Sequence, residues 1–220
     1  MGTSSGQDFE VLSTELLHDT PIIALRRDQV RMPGGKVAAR EIVEHFGAVA
    51  VVAFDEARGE IAVVNQYRPC VGRRLIELPA GILDVAGEDP LTAAKRELYE
   101  EAGLAASSWV SLVDVVTSPG FCDEAVRVFL ARGLSATERP AGEDEEADMT
   151  LDWMPLAQAR AAALAGQVVN SIAVAGIFAA SEVLERGAQP RSADAEFELR
   201  PQALAARRQR EGVAPDMKKL

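Results

Sequence analysis

The sequence predicts an α/β (α+β) protein: a mixed sheet sandwiched between helices in α/β/α layers, preceded by a small N-terminal β-sheet domain. Three observations carry that prediction. Strand-like stretches with a few helix-like ones interspersed run through residues 48–184. Residues 48–54 and 61–67 are apolar and β-branched, the composition of central strands. Residues 90–102 form an amphipathic pattern between a start signal and a stop signal, as in a helix packed on a sheet.

In chain order, a polar start gives way to strand-like stretches at 10–17, 21–32 and 37–46, with Pro33, Gly34 and Gly35 as the turn between the last two. Three short strands have little core of their own, so residues 1–47 are expected to form a small sheet packed on a partner surface. The strands at 48–54 and 61–67 are joined by a turn at 55–59, and residues 75–78 lead into Pro79, Ala80 and Gly81. Next comes the helix over 90–102, with Asp89 as N-cap, Pro90 at the first helical position and Gly103 just past the end. Residues 109–117, 126–131 and 150–154 read as strands, and 156–164 and 170–184 as helices, the second capped by Asn170. Residues 48–186 therefore make the main domain. From Gly187 on, Ala, Arg, Gln and Pro dominate, which predicts a loosely ordered tail over 187–220 with one short helix near 202–210.

With 220 residues, 48% of them hydrophobic, the chain can bury one sizeable core and carry an accessory segment. A formal net charge of −11 argues against a nucleic-acid partner, because duplex binding rests on clustered Lys and Arg. No apolar run approaches the roughly 20 residues that cross a bilayer, and residues 1–6 lack the features of a secretion signal, so a cytoplasmic location without membrane contact is expected. Cys70 and Cys122 are expected as free thiols, and Cys122 has no identifiable histidine partner. His18 and His45 are too few and too far apart for a zinc site and read as plain polar residues.

The helix at 90–102 concentrates charge. Glu97 and Glu101 lie four residues apart and Glu100 three beyond Glu97, crowding one flank, while Leu91, Ala94, Leu98 and Ala102 form the apolar stripe. Like charges at these spacings repel by a few tenths of a kcal/mol per pair unless a cation sits among them, so the alternative to a solvated face is a metal site. Hard oxygen ligands of this kind suit Mg²⁺ or Mn²⁺.

The flanking residues sharpen the choice. Gly81, Glu88, Arg96-Glu97, Glu100-Glu101 and Gly103-Leu104 together resemble the signature of the Nudix hydrolases: Gly, five residues, Glu, seven residues, Arg-Glu, an apolar residue, any residue, Glu-Glu, any residue, Gly, an apolar residue. One departure is visible, since six residues separate Gly81 from Glu88. The extra residue falls near Val85, Ala86 and Gly87, before the helix, where a bulge leaves helical phase intact. The resemblance implies the Nudix fold over about 48–184. It also implies two or three Mg²⁺ or Mn²⁺ ions held by Glu97, Glu101, the Ala80 carbonyl and Glu100, with Gly81, Glu88, Arg96 and Gly103 as structural members and Arg96 paired to Glu88.

Outside the signature, the chain is similar to the ADP-ribose pyrophosphatases within that family. Pro119, fifteen residues beyond Leu104, stands where that subfamily carries a proline; the alternative is a proline that merely ends a strand. Arg68 resembles its phosphate-binding arginine, the alternative being a surface arginine. Arg40 and Glu41 resemble the pair that approaches the adenine, the alternative being an exposed ion pair. In the acidic run 143–148, Glu146 matches the subfamily's catalytic glutamate, with Glu145 as its neighbouring alternative. Glu124 is implied at the terminal ribose, against a structural ion pair with Arg127. With the actinobacterial members the chain shares Glu-Leu-Pro-Ala-Gly, the one-residue insertion and Glu-Glu-Ala-Asp-Met-Thr.

What the resemblance implies is metal-dependent hydrolysis of the diphosphate of ADP-ribose to AMP and ribose 5-phosphate, by a homodimer with exchanged N-terminal domains. Glu146 would serve as base and Arg68 as fixed charge on the phosphates. The competing expectations are a different nucleoside diphosphate derivative, such as an oxidised guanine nucleotide, a nucleotide sugar or NADH, and a non-catalytic ADP-ribose sensor. Sensors tend to lose these glutamates and carry a basic DNA-binding domain, and neither trait is seen here.

Overall fold

The computed structural model describes residues 9–138, 140 and 148–218. Two sheets form. β1 (Glu10–Asp19), β2 (Ala24–Arg31) and β3 (Val37–Glu44) make an antiparallel meander, its second turn set by Gly34 and Gly35 in the left-handed region. The larger sheet runs β10 (Thr150–Pro155), β5 (Glu60–Arg68), β4 (Ala48–Asp55), β9 (Ala125–Ala136), β8 (Leu104–Val116), β11 (Arg191–Ser192). β4 and β9 are parallel and the other neighbours antiparallel, so the sheet is mixed.

Helices cover both faces of that sheet. β4 alternates its side chains, as a strand must: Ala48, Ala50 and Val52 enter one core, and Val49, Val51 and Ala53 the other. The first core is closed by α2 (Leu156–Leu164) and α3 (Ser171–Arg186), the second by α1 (Pro90–Ala102). α3 sits tight because Gly176 has no side chain. A Cβ there would lie 2.7 Å from a Leu78 methyl and 3.0 Å from a Val128 methyl.

A split in the sheet places the functional loop. β4 and β5 pair only at Phe54–Ile61 and Asp55–Glu60, and beyond that point they diverge. The gap is filled by β6 (Arg73–Glu77), paired to β5, and by β7 (Ala80–Ile82), paired to β4, so the turn between them delivers Ala80 and Gly81 beneath α1. The small sheet joins the large one through Val43, whose N–H donates to Phe121 O (2.7 Å) and whose carbonyl accepts from Asp123 N (3.1 Å).

Residues 187–218 depart from the expected loose tail. β11 adds to the edge of β8, Arg127 is fully buried against Asp114, the carbonyls of Ala195 and Glu196 and the ring of Phe197, and α4 (Ala203–Arg210) inserts Leu204 into a core with Ala24, Phe46 and Met217. Arg208 on α4 is fully buried and donates to Asp19 (2.8 Å) and to Thr20 O (2.6 Å). The composition misleads because arginines, elsewhere the mark of a solvated tail, are here the anchors. Among the described residues no helix is long and apolar enough to cross a membrane, and Cys70 and Cys122 are free thiols.

Candidate active site

α1 begins and ends as its sequence dictates. Asp89 accepts from Leu91 N (3.0 Å) and Thr92 N (3.1 Å), and Gly103 closes the helix at φ 61°. The buried residues of the helix are Ala93, Ala94, Glu97, Leu98, Glu101 and Ala102, so two of the three carboxylates lie on the core-facing side, not on a solvated flank. Two buried carboxylates beside an apolar stripe are costly unless partnered.

The partners are specific. Glu101 accepts from Ala80 N (2.8 Å), tying the helix to β7. Glu97 rests against Gly81, where a Cβ would lie 2.0 Å from its carboxyl carbon, which accounts for glycine at that position. Arg96 is the hub: its Nε and Nη2 each donate to Glu88 (3.1 Å), and its Nη1 to Glu97 (2.6 Å) and Glu100 (3.0 Å). The pairing to Glu88 is the expected one, and the two further bonds add to it. Burial pushes the Glu97 carboxyl up to about 7; Arg96 opposes the rise, and the nearby Glu100 and Asp84 carboxylates add to it. Hydrogen bonding to Glu88 holds Arg96 firmly protonated.

The donor set of Glu97, Glu100, Glu101 and the Ala80 carbonyl is all hard oxygen, which fits Mg²⁺ or Mn²⁺, and the desolvated charge of Glu97 is of the kind a cation offsets. Among the described residues no three His, Cys, Asp or Glu side chains form a finished cation cage. Arg96 stands among the carboxylates instead, so a cation would compete with it for Glu97 and Glu100.

Ala80 and Gly81 open onto a cleft of about 470 Å³ whose lining includes Arg68, Glu77, His45 and Glu124. Arg68 ends β5, and its Nε and Nη2 grip Glu77 in a two-point bridge (3.0 and 2.7 Å), which fixes the guanidinium at the cleft wall. Glu124 accepts from Thr117 Oγ1 and lies 3.5 Å from His45 Nδ1, while Arg127 pairs with Asp114, so the proposed Glu124–Arg127 ion pair does not form. His45, read from sequence as a plain polar residue, lines this cleft. Its Nδ1 accepts from Gly47 N (3.1 Å), and burial pulls its pKa below the usual value although Glu124 and Asp123 push it up. A lone histidine between two strands gives no sequence signal for such a place. Glu77 was hidden in the same way, as one more residue of Glu-Leu-Pro-Ala-Gly.

Arg40, Glu41 and Pro119 come together in a second cavity of about 480 Å³, lined also by Arg26, Phe121 and Asp123 and sharing no residue with the cleft of Arg68. The Arg40–Glu41 ion pair weighed from sequence is absent: Glu41 accepts from Arg27 (2.8 Å) and Arg40 donates to the Ala39 carbonyl. Pro119 lies past the end of β8, in the turn that Phe121 N closes onto Ser118 O. Glu145 and Glu146 fall outside the described residues. The next described residue after them, Asp148, is held by Arg74 of β6.

Comparison with known proteins follows the same division of the chain. Residues 44–172 match the NUDIX domain, and residues 9–43 match the nucleoside diphosphate sugar hydrolase N-terminal domain. An ADP-ribose pyrophosphatase of Mycobacterium tuberculosis is 59% identical over 201 residues, 91% of this chain and 97% of that protein. An ADP-ribose pyrophosphatase of Bacillus subtilis is 42% identical over 62% of this chain and 73% of its own length. The solved structure of an ADP compounds hydrolase superposes with a TM-score of 0.71 over 84% of this chain and 98% of that one; at 19% identity it attests the fold. With its signature helix, its glycine loop and a domain match across more than half of its length, the chain belongs to the Nudix hydrolases.

Proposed function

We propose that the chain hydrolyses the diphosphate of ADP-ribose to AMP and ribose 5-phosphate with Mg²⁺ or Mn²⁺, two to three ions per site. One observation carries the reading: buried Glu97 and Glu101 are packed against Ala80 and Gly81, which line the same cleft as Arg68, in a chain 59% identical to an ADP-ribose pyrophosphatase. Glu97, Glu100, Glu101 and the Ala80 carbonyl would hold the cations. When bound, they neutralise diphosphate charge and make a water easier to deprotonate at neutral pH. Arg68, already immobilised by Glu77, presents fixed positive charge to the phosphates. Glu146 takes the proton from the attacking water. Glu124 and His45 face the sugar beyond the diphosphate, and Arg40, Glu41 and Pro119 form the adenine pocket.

From the likeness to ADP-ribose pyrophosphatases we infer a homodimer in which residues 1–47 are exchanged, with 48–186 as the catalytic unit. Val11, Leu12 and Leu16, exposed on β1, support a covering partner of that kind. We place the enzyme in the cytoplasm.

The test is product release from ADP-ribose, NADH, ADP-glucose, GDP-mannose and 8-oxo-dGDP, each with Mg²⁺ and with chelator. AMP and ribose 5-phosphate from ADP-ribose, well above the other substrates and abolished by chelator, is the expected result. Preference for another substrate would overturn the assignment of ADP-ribose, and no turnover at all would overturn catalysis. Glu97→Gln should lose most turnover while still folding. Glu146→Gln should lose about a hundredfold or more at unchanged metal affinity.

A further inference from the structure

The loop that carries the extra residue is bound by the far end of the chain. Residues 84–86 form a short antiparallel bridge with 215–217: Ala86 N donates to Pro215 O (2.8 Å) and Met217 N to Asp84 O (2.8 Å). Lys218 Nζ then reaches the Asp84 carboxylate at 2.8 Å. Asp84 is buried, with 5% of its surface exposed, and its charge is felt at Glu97. A third tie comes from Arg200, whose Nη1 donates to the Glu88 carbonyl (3.0 Å).

These contacts converge on one mechanical chain. The loop at 84–87 ends at Glu88, Glu88 takes two nitrogens of Arg96, and Arg96 holds Glu97 and Glu100. With Gly87 at φ 79°, the loop has backbone freedom that must be removed if Glu88 is to stay in place. We propose that residues 214–218 are a strap that positions the cation-binding carboxylates, with Lys218 and Asp84 as positioning residues acting through the loop, Glu88 and Arg96. The strap rests on the metal-dependent reading given above, but not on the identity of the substrate.

Metal sites lose affinity when the groups that orient their ligands are removed. Lys218 acts through several contacts, so Lys218→Met should weaken Mn²⁺ binding about threefold to tenfold, less than a direct partner of a ligand would. Mn²⁺ binding is to be read by electron paramagnetic resonance on the substrate-free protein, alongside the Mn²⁺ needed for half-maximal turnover. Asp84→Asn should do the same, the double variant should be no worse than either single change, and Lys218→Arg should restore wild-type binding. At saturating Mn²⁺ the KM for ADP-ribose should be unchanged.

Unaltered Mn²⁺ affinity in Lys218→Met, even with a lower melting temperature, would reduce the strap to a stability element and overturn the proposal. Tighter Mn²⁺ binding, the result of simply removing a nearby positive charge, would overturn it too. A wild-type protein that binds Mn²⁺ but leaves ADP-ribose intact overturns the substrate and leaves the strap standing. Wild-type protein that binds no Mn²⁺ overturns both.

Discussion

Two strands of similar length, β1 and β4, live in opposite physical worlds. β4 is buried from Ala48 through Val52 and on to Ala53, and its alternating side chains knit two cores together. Among the described residues β1 pairs with β2 alone, and its first seven residues are all exposed. Besides the backbone ladders, polar side chains link its strands: Arg26 of β2 pairs with Glu44 of β3 and with Asp28 two residues along its own strand, Thr14 of β1 donates to Asp28, and Arg27 pairs with Glu41. Exposed pairs of that kind contribute little, so the Arg27–Glu41 bridge adds less than the buried Asp28 and Glu44 contacts. The large sheet carries its own stability, whereas the small one depends on what is laid against it.

Three substitutions would break or sharpen that contrast. Phe129 lies fully buried in the second core, edge-on to Trp109, and Phe129→Ala should cost about 3–5 kcal/mol in urea unfolding, because the transfer loss and the cavity add. Arg208→Met attacks the junction between the two regions. It strips Asp19 and Thr20 O of their buried donor and should cost about 2 kcal/mol, below the full penalty for breaking a buried pair because the Asp19 side chain keeps 22% of its exposure. Urea transitions that coincide for probes placed in the two sheets would mean that the small sheet and the large one unfold as one unit. Leu16→Ser on β1 should change the stability of dilute protein by less than about 0.5 kcal/mol. In sedimentation at higher concentration the same change tests the proposed dimer: a lower dimer fraction than wild type supports an interface on β1, and a wild-type protein that stays monomeric overturns the dimer.

The parts that sequence disclosed are those whose causes are local. The helix at 90–102 could be bounded to the residue because its cap, its proline and its closing glycine are all within a turn of its ends. The strands at 48–54 and 61–67 showed because burial on both faces demands a continuous apolar run. The hidden parts are cooperative. β7 and β11 have three and two residues, too short to carry a period, and exist only because a neighbouring strand offers an edge. The packing of 187–218 rests on arginines whose partners lie far away in sequence, and His45 and Glu77 gain their place only when the split between β4 and β5 opens the cleft. The hub role of Arg96 was half visible: its pairing to Glu88 follows from the signature, and its grip on Glu97 and Glu100 from side-chain geometry alone.

The Asp19–Arg208 contact spans 189 positions, and this separation has a consequence in time. During synthesis at about 5–20 residues per second, roughly 10–40 s elapse between the appearance of the two partners. The small sheet is made first and pinned last. Throughout that interval its open strand is available to a neighbouring chain growing on the same message, and unpaired edges are ready templates for such pairing. The order of manufacture therefore leaves the edge of the small sheet open until the internal pin closes.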